Sequence, residues 1–315
     1  MRRLIIDTDT ASDDAVAIMM ALAHPEVTVE AITVVAGNVA LAQGSINARF
    51  VVELCGARVP VHEGCDRPWL RAPAPADWFH GADGMGDVGY PAPASPPSPG
   101  HAAPELARRF AEAPGEIELV TIGPLTNVAT ALALDPAMAS HVKRCWVMGG
   151  AACTHGNVTA AAEYNVWCDP EAAAKVLDSG MDVTMLGWEL SCGDATLDAA
   201  EMDRLRGLGT PRAEVAIDCN RTALEAVVRL QGQSGLALAD PVAMAVVLED
   251  GIATARSRHR VDVALADELV RGMTVVDRLH ASGREPNAEV VFAIDAGRWK
   301  ALLETSLSAH GGSVR

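Results

Sequence analysis

The sequence is almost devoid of lysine, with only Lys143, Lys175 and Lys300 in 315 residues. Acidic side chains outnumber basic ones 41 to 25, giving a formal net charge of −16 and a pI near 4.9. A surface of that sign repels phosphate backbones and anionic membranes, so no nucleic-acid partner and no membrane partner is expected. Long hydrophobic runs are also missing. Ala15–Ala23 falls well short of the about 18 residues that cross a bilayer. Leu4–Ile6, behind the basic Arg2-Arg3 pair, is too short for the apolar region of a secretion signal. The seven cysteines are odd in number and form no CxxC. Neither a disulfide framework nor a zinc knuckle is suggested, and buried free thiols in a reducing compartment are expected. Together these absences predict a soluble, cytoplasmic protein.

Half of the residues are hydrophobic and the mean hydropathy is +0.16, so a sizeable core can form. Short apolar strands are predicted at Leu4–Ile6, Val27–Val35, Glu118–Ile122, Cys145–Met148 and Val183–Leu186. Helical stretches are predicted at Ala15–Ala23, Ile46–Leu54, Asn127–Leu134, Pro170–Asp178 and Ala199–Leu208. Such alternation implies βαβ units around a mainly parallel sheet, an α/β fold. The interval Glu63–Gly100 breaks the rhythm with Trp69, Trp78, His80 and a proline-rich run, and reads as an excursion from a single domain spanning residues 1–315. Ligands of open parallel sheets bind at the carboxyl ends of the strands. Asp7 and Asp9, Asn38, Thr126 with Asn127, and Gly149 onward all follow predicted strands, so the alternation gathers them on one rim.

Asp7-Thr8-Asp9-Thr10-Ala11-Ser12-Asp13-Asp14 places four carboxylates in eight residues. Like charges at that density are costly unless a cation or protons neutralise them. Hard oxygen donors without nearby His or Cys suit calcium or magnesium rather than zinc. An acidic, solvent-exposed helix start is the plainer alternative, but these carboxylates lie between an apolar strand and an apolar helix. Asp7-x-Asp9 after a first strand also resembles the haloacid-dehalogenase-like phosphatases. Their motif ordinarily has Thr or Val where Ala11 stands, and none of the three lysines is an obvious catalytic one.

The pattern Asp-x-Asp-x-x-x-Asp-Asp-Ala-x-Ala, met here at Asp7, Asp9, Asp13, Asp14, Ala15 and Ala17, resembles the N-terminal signature of the nucleoside hydrolase family (inosine/uridine-preferring N-ribohydrolases). The resemblance continues in order. It runs through Val35-Ala36-Gly37-Asn38, His80-Gly81-Ala82-Asp83-Gly84-Met85-Gly86 and Gly123-Pro124-Leu125-Thr126-Asn127. It goes on through Met148-Gly149-Gly150, Gly156-Asn157-Val158-Thr159, Ala162-Glu163-Tyr164-Asn165, Asp169-Pro170-Glu171-Ala172-Ala173 and Asp240-Pro241. It implies a Ca2+ ion held by Asp9, Asp14, the Thr126 carbonyl and Asp240, with Asp9 as the general base that activates water. It further implies a ribose gripped by Asp13, Asn157, Glu163 and Asn165, with Asn38 assisting and His80 closing over the sugar from a flap. The reaction implied is hydrolysis of a ribonucleoside to ribose and free base, by a homodimer or homotetramer.

Taken singly, Asn157 and Asn165 also suit turns, and Asp240-Pro241 suits a plain helix start. The base side departs from the family pattern. A histidine that many members carry before the last metal aspartate is replaced by Ala239, and Ala223–Leu238 holds no aromatic residue. Trp78, Trp167 and Trp188 lie near motifs and are candidates to stack on a base, while Gln231 and Gln233 are candidates to hydrogen-bond one. Two alternatives stay open at this point: the phosphatase, with Asp7 as nucleophile and Asp9 beside it, and a nucleoside-binding protein without turnover.

Overall fold

The structure is a computed structural model, and it describes residues 1–231 and 234–308. One nine-stranded sheet runs through it in the order β3-β2-β1-β4-β5-β6-β9-β7-β8. The strands are β1 (Arg2–Thr8), β2 (Val27–Val34), β3 (Val61–Glu63), β4 (Ile117–Thr121), β5 (Arg144–Met148), β6 (Val183–Leu186), β7 (Ala253–Val263), β8 (Thr274–Asp277) and β9 (Ala288–Ile294). Every neighbouring pair from β3 to β9 is parallel, whereas β7 pairs antiparallel with both β9 and β8. The sheet is thus mixed and mainly parallel, as the alternating pattern implies.

Successive residues of a strand face opposite sides of a sheet, and the central strands are apolar on both. Leu4, Ile6, Val120, Ile122, Trp146 and Met148 face one layer of helices, which includes Ser12–Ala23, Leu41–Leu54, Ala239–Leu248 and Ala296–Ser308. Ile5, Leu119, Cys145 and Val147 face the other, formed by Ala102–Glu112, Thr126–Leu134 and Pro170–Leu177. The two layers explain why no strand among β1, β4 and β5 shows a polar face.

The Glu63–Gly100 excursion is tied back at several points. Ser98 forms a bridge beside β3 at His62, and Glu53 of helix Leu41–Leu54 accepts hydrogen bonds from the amides of Ala94 and Ser95. The short helix Asp77–His80 within it returns over the strand ends. No helix among the described residues is long and apolar enough to cross a membrane.

Strand order reverses between β1 and β4. From β1 the chain winds outward to β2 and β3, then returns to β4 and continues to β5 and β6. The loops after β1 and β4 diverge there and leave a crevice outside the carboxyl ends.

Candidate active site

The crevice begins with Asp9, just beyond the end of β1. Its carboxylate is wholly buried; Oδ2 accepts a hydrogen bond from the amide of Asn38, and Oδ1 has no partner. The loops after β2 and β4 close around it so tightly that only glycine fits. A Cβ at Gly37 would lie 2.1 Å from Asp9 Oδ2, and one at Gly123 would lie 2.8 Å from Asp9 Oδ1. Asp7 sits two residues earlier, within β1. Its Oδ1 accepts from Thr33 Oγ1 at 2.5 Å and from Asn127 Nδ2 at 2.9 Å, and its side chain is fully buried. That carboxyl ties the end of β1 to β2 and to the helix that follows β4.

Helix Ser12–Ala23 starts immediately after Asp9, and its first turn carries Asp13 and Asp14 where the helix dipole favours negative charge. Asp14 accepts from Thr8 Oγ1 at 2.6 Å and from the amide of Ala11 at 2.9 Å, which fixes its carboxylate. Asp240, in the first turn of helix Ala239–Leu248, completes the cluster: one oxygen each from Asp13, Asp14 and Asp240 lie within 4.8 Å of one another. Burial and neighbouring negative charge push these acids upward, Asp14 to about 7 and Asp9 and Asp240 well above the usual carboxylate range. Carboxylates this close and this dry, with a free oxygen on Asp9, suit a hard divalent cation. Thr126 stands buried at the start of its helix, with its hydroxyl donating to Asp169 at 2.7 Å. The structure thus brings Asp13 together with Asp14 and Asp240.

Above this acidic floor lies a cavity of about 290 Å3. Its polar wall comes from Asp13, Asn38, Asn157, Glu163, Asn165 and Asp240, and His80 reaches it from the excursion. Glu163 caps helix Tyr164–Cys168, accepting from the amides of Asn165 and Val166, and also from Gly150 at 2.7 Å. Burial nonetheless lifts its carboxyl to about 7. Asn165 Nδ2 donates to the carbonyls of Ile122, just past β4, and Met148, the last residue of β5. Asn157 Oδ1 accepts from the amide of Tyr164, which joins the two motifs into one loop. His80 Nδ1 lies 2.8 Å from Ser12 Oγ and 4.0 Å from Asp13 Oδ1; burial lowers its pKa and Asp13 opposes that shift.

The opposite wall is apolar. Trp78, Phe79, Trp188, Ala226, Val227 and Ala239 line it, with Trp78 half exposed at the rim. Trp167 is not among the lining residues. It follows Asn165 by two positions on a short helix, which turns it to the other face. There it packs beside Tyr164, and its carbonyl accepts from Arg271. The side chain of Gln231 and all of Gln233 lie outside the described residues. The sequence reading missed Phe79, Ser191 and the aliphatic wall from Ala226 and Val227. Phe79 adjoins the flagged Trp78, whereas Ala and Val carry no chemical signature.

A doubly wound sheet with an acidic cluster at its switch point and a cavity of small-molecule size marks an α/β enzyme that binds a polar ligand beside a cation-compatible floor. Comparison with known proteins makes this specific. The model of the inosine-uridine preferring nucleoside hydrolases matches residues 4–301. The chain is 35% identical to the pyrimidine-specific ribonucleoside hydrolase RihA of a Shewanella species, over 98% of this chain and 97% of the relative. It is also 35% identical to the inosine-uridine preferring nucleoside hydrolase of Leishmania major, over 98% of both chains. Among solved structures, a plant nucleoside hydrolase superposes with a TM-score of 0.92 at 29% identity, covering 98% of this chain and 99% of that one. A purine-preferring ribonucleoside hydrolase from Gardnerella vaginalis gives 0.90 at 28% identity, covering 98% of each. The chain belongs to the inosine-uridine preferring nucleoside hydrolase family. It is an N-glycosyl hydrolase of ribonucleosides, which sets aside both the phosphatase and the turnover-free binding protein. The family is generally metal-dependent, and the Asp13–Asp14–Asp240 group could bind a metal ion.

Proposed function

We propose that this enzyme cleaves the N-glycosidic bond of ribonucleosides with calcium as its metal and Asp9 as its general base. The observation that carries the reading is Asp9 Oδ1, buried without a partner beside Asp14. Asp9, Asp14, the Thr126 carbonyl and Asp240 would hold the ion, with Asp13 close enough to share the charge. When bound, calcium supplies the positive charge that returns these acids to their ionised forms and lowers the pKa of an adjacent water.

In that ionised state Asp9 Oδ1 takes a proton from the water. The oxygen attacks the anomeric carbon, the carbon–nitrogen bond breaks, and its electron pair leaves with the base. Positive charge develops on the sugar during that step, and Asp13 and Glu163 sit where a ribose in the cavity would feel it. Asn157, Asn165 and Asn38 orient the hydroxyls, and His80 closes the flap side. The base then lies toward Trp78 and Trp188, with Ala239 unable to deliver a proton to it. A flat aromatic base suits that wall. The names of the relatives cover pyrimidine-specific, inosine-uridine preferring and purine-preferring enzymes, so no one base is selected. The same reading carries a cytoplasmic location, which the seven free cysteines support, and a homodimer or homotetramer.

Asp9→Ala tests the assignment. Loss of a general base should lower kcat by at least about 100-fold, with circular dichroism and thermal melting unchanged or improved. Wild-type turnover in a folded Asp9→Ala protein would remove Asp9 from the mechanism.

A further inference from the structure

The β7–β8 hairpin is remote in sequence from every motif above, yet it grips the loop that carries Glu163 from two sides. Thr274, the first residue of β8, is buried. Its Oγ1 accepts from the Ala151 amide at 2.9 Å and donates to the Ala151 carbonyl at 2.8 Å. The preceding residue, Gly150, is the one whose amide donates to Glu163 Oε2 at 2.7 Å. Gly150 has φ +77, and a Cβ there would lie 2.6 Å from Thr274 Cγ2, so hydroxyl and methyl of Thr274 both bear on this turn. At the far end of the loop, Arg271 is buried and donates from Nη1 to the Trp167 carbonyl at 2.9 Å. Its Nη2 lies 3.6 Å from Glu171 Oε2. Gly272, at φ +81, lets the hairpin backbone approach Trp167 so closely that a Cβ would lie 2.7 Å from Trp167 Cα.

We propose that Thr274 and Arg271 are positioning residues for the reaction: the hairpin clamps Gly150–Ala151 and Trp167, and thereby sets where the Glu163 carboxylate meets the ribose. The inference rests on the reading of Glu163 as a sugar-binding group. Neither residue lines the cavity, so any effect they have on the reaction passes through the loop they hold.

Thr274→Val keeps the shape and removes the hydroxyl, and Thr274→Ser keeps the hydroxyl and removes the methyl. Small misplacements of a substrate-orienting group cost about tenfold to a hundredfold in rate, so Thr274→Val should lower kcat/KM by about tenfold or more. Thr274→Ser should stay within about threefold of wild type, because the paired hydrogen bonds survive. Both are read alongside near-ultraviolet circular dichroism and melting temperature. The decisive comparison is with Glu163→Gln. If Thr274 acts through Glu163, adding Thr274→Val to Glu163→Gln should change kcat/KM by less than about threefold, whereas a loss of folded enzyme would multiply. Arg271→Lys, which keeps the charge beside Glu171 and loses the guanidinium fork, gives the same test should Thr274→Val not fold. Wild-type kinetics in Thr274→Val, or its full effect persisting on Glu163→Gln, would overturn the inference while leaving the ribose reading in place. Wild-type kinetics in Glu163→Gln alone would overturn both.

Discussion

The buried acids make the metal-free enzyme sensitive to pH in a direction opposite to that of ordinary acid unfolding. Burial raises Asp7 and Asp14 from their ordinary 3.8 to about 7. Unfolded, both ionise near pH 4; folded and without metal, both keep their protons until near pH 7. The folded state therefore binds more protons across that window, and stability must fall as pH rises through it. Between pH 5 and 8 each group weakens the fold by about 3 kcal/mol. At about 2 °C per kcal/mol for a chain of this size, the pair lowers Tm by on the order of 10 °C. His80 works in the opposite sense below its ordinary 6.5, since burial holds its pKa down and acid must charge it in the unfolded chain first. The assay is differential scanning fluorimetry on extensively chelated and dialysed protein from pH 5 to 8, repeated in saturating calcium. Calcium should remove the Asp14 share by pairing its charge, and leave that of Asp7, whose Oδ1 accepts from Thr33 and Asn127. Asp7→Asn in calcium should then fall less steeply with pH, the remaining slope coming from Glu163, whose carboxyl burial also lifts to about 7. A metal-free Tm that stays constant or climbs from pH 5 to 8 would refute the reasoning.

Two substitutions separate chemistry from scaffolding. Gly37→Ala puts a methyl group onto the Asp9 carboxylate at 2.1 Å; displacing the base should lower kcat by about 100-fold or more, measured as ribose release, with secondary structure retained. Glu118→Ala breaks the buried end of a network in which Glu118 holds Arg2, Lys143 and the Trp146 indole on the sheet. It should cost about 2 kcal/mol in urea unfolding, since Arg2 and Lys143 are partly solvated, and leave kcat near wild type at 25 °C.

Much of the site could be read because its chemistry is local in sequence. Asp9, Asp13 and Asp14 sit within six residues, and the strand-helix alternation alone sends them, Asn38 and Thr126 to one rim. The central strands were legible for a related reason: buried on both faces, they are short β-branched and apolar runs. Strand β7 gave no such signal, whereas the apolar run Val290-Val291-Phe292 of β9 did and was not taken up. β7 reads Ala-Thr-Ala-Arg-Ser-Arg-His-Arg-Val-Asp-Val and is mostly exposed over its first half. Its charges find partners across the fold, as Arg258 with Asp182 and Arg260 with Asp178, which periodicity cannot anticipate. Trp167 looked like a stacking residue because it adjoins Asn165, but helical geometry turns it away from the cavity. Thr274 is a single hydroxyl on a distant hairpin, visible only once the fold sets it against Ala151. The close approach of Asp13, Asp14 and Asp240 likewise depends on side-chain direction, which residue spacing does not encode.

The most direct test of the account is reducing-sugar release from a panel of purine and pyrimidine ribonucleosides, run with calcium and again with chelator. Ribose release from at least one nucleoside is expected in calcium, abolished by the chelator and restored when calcium is returned. Equal release in the presence of chelator, or none from any nucleoside in calcium, would contradict it.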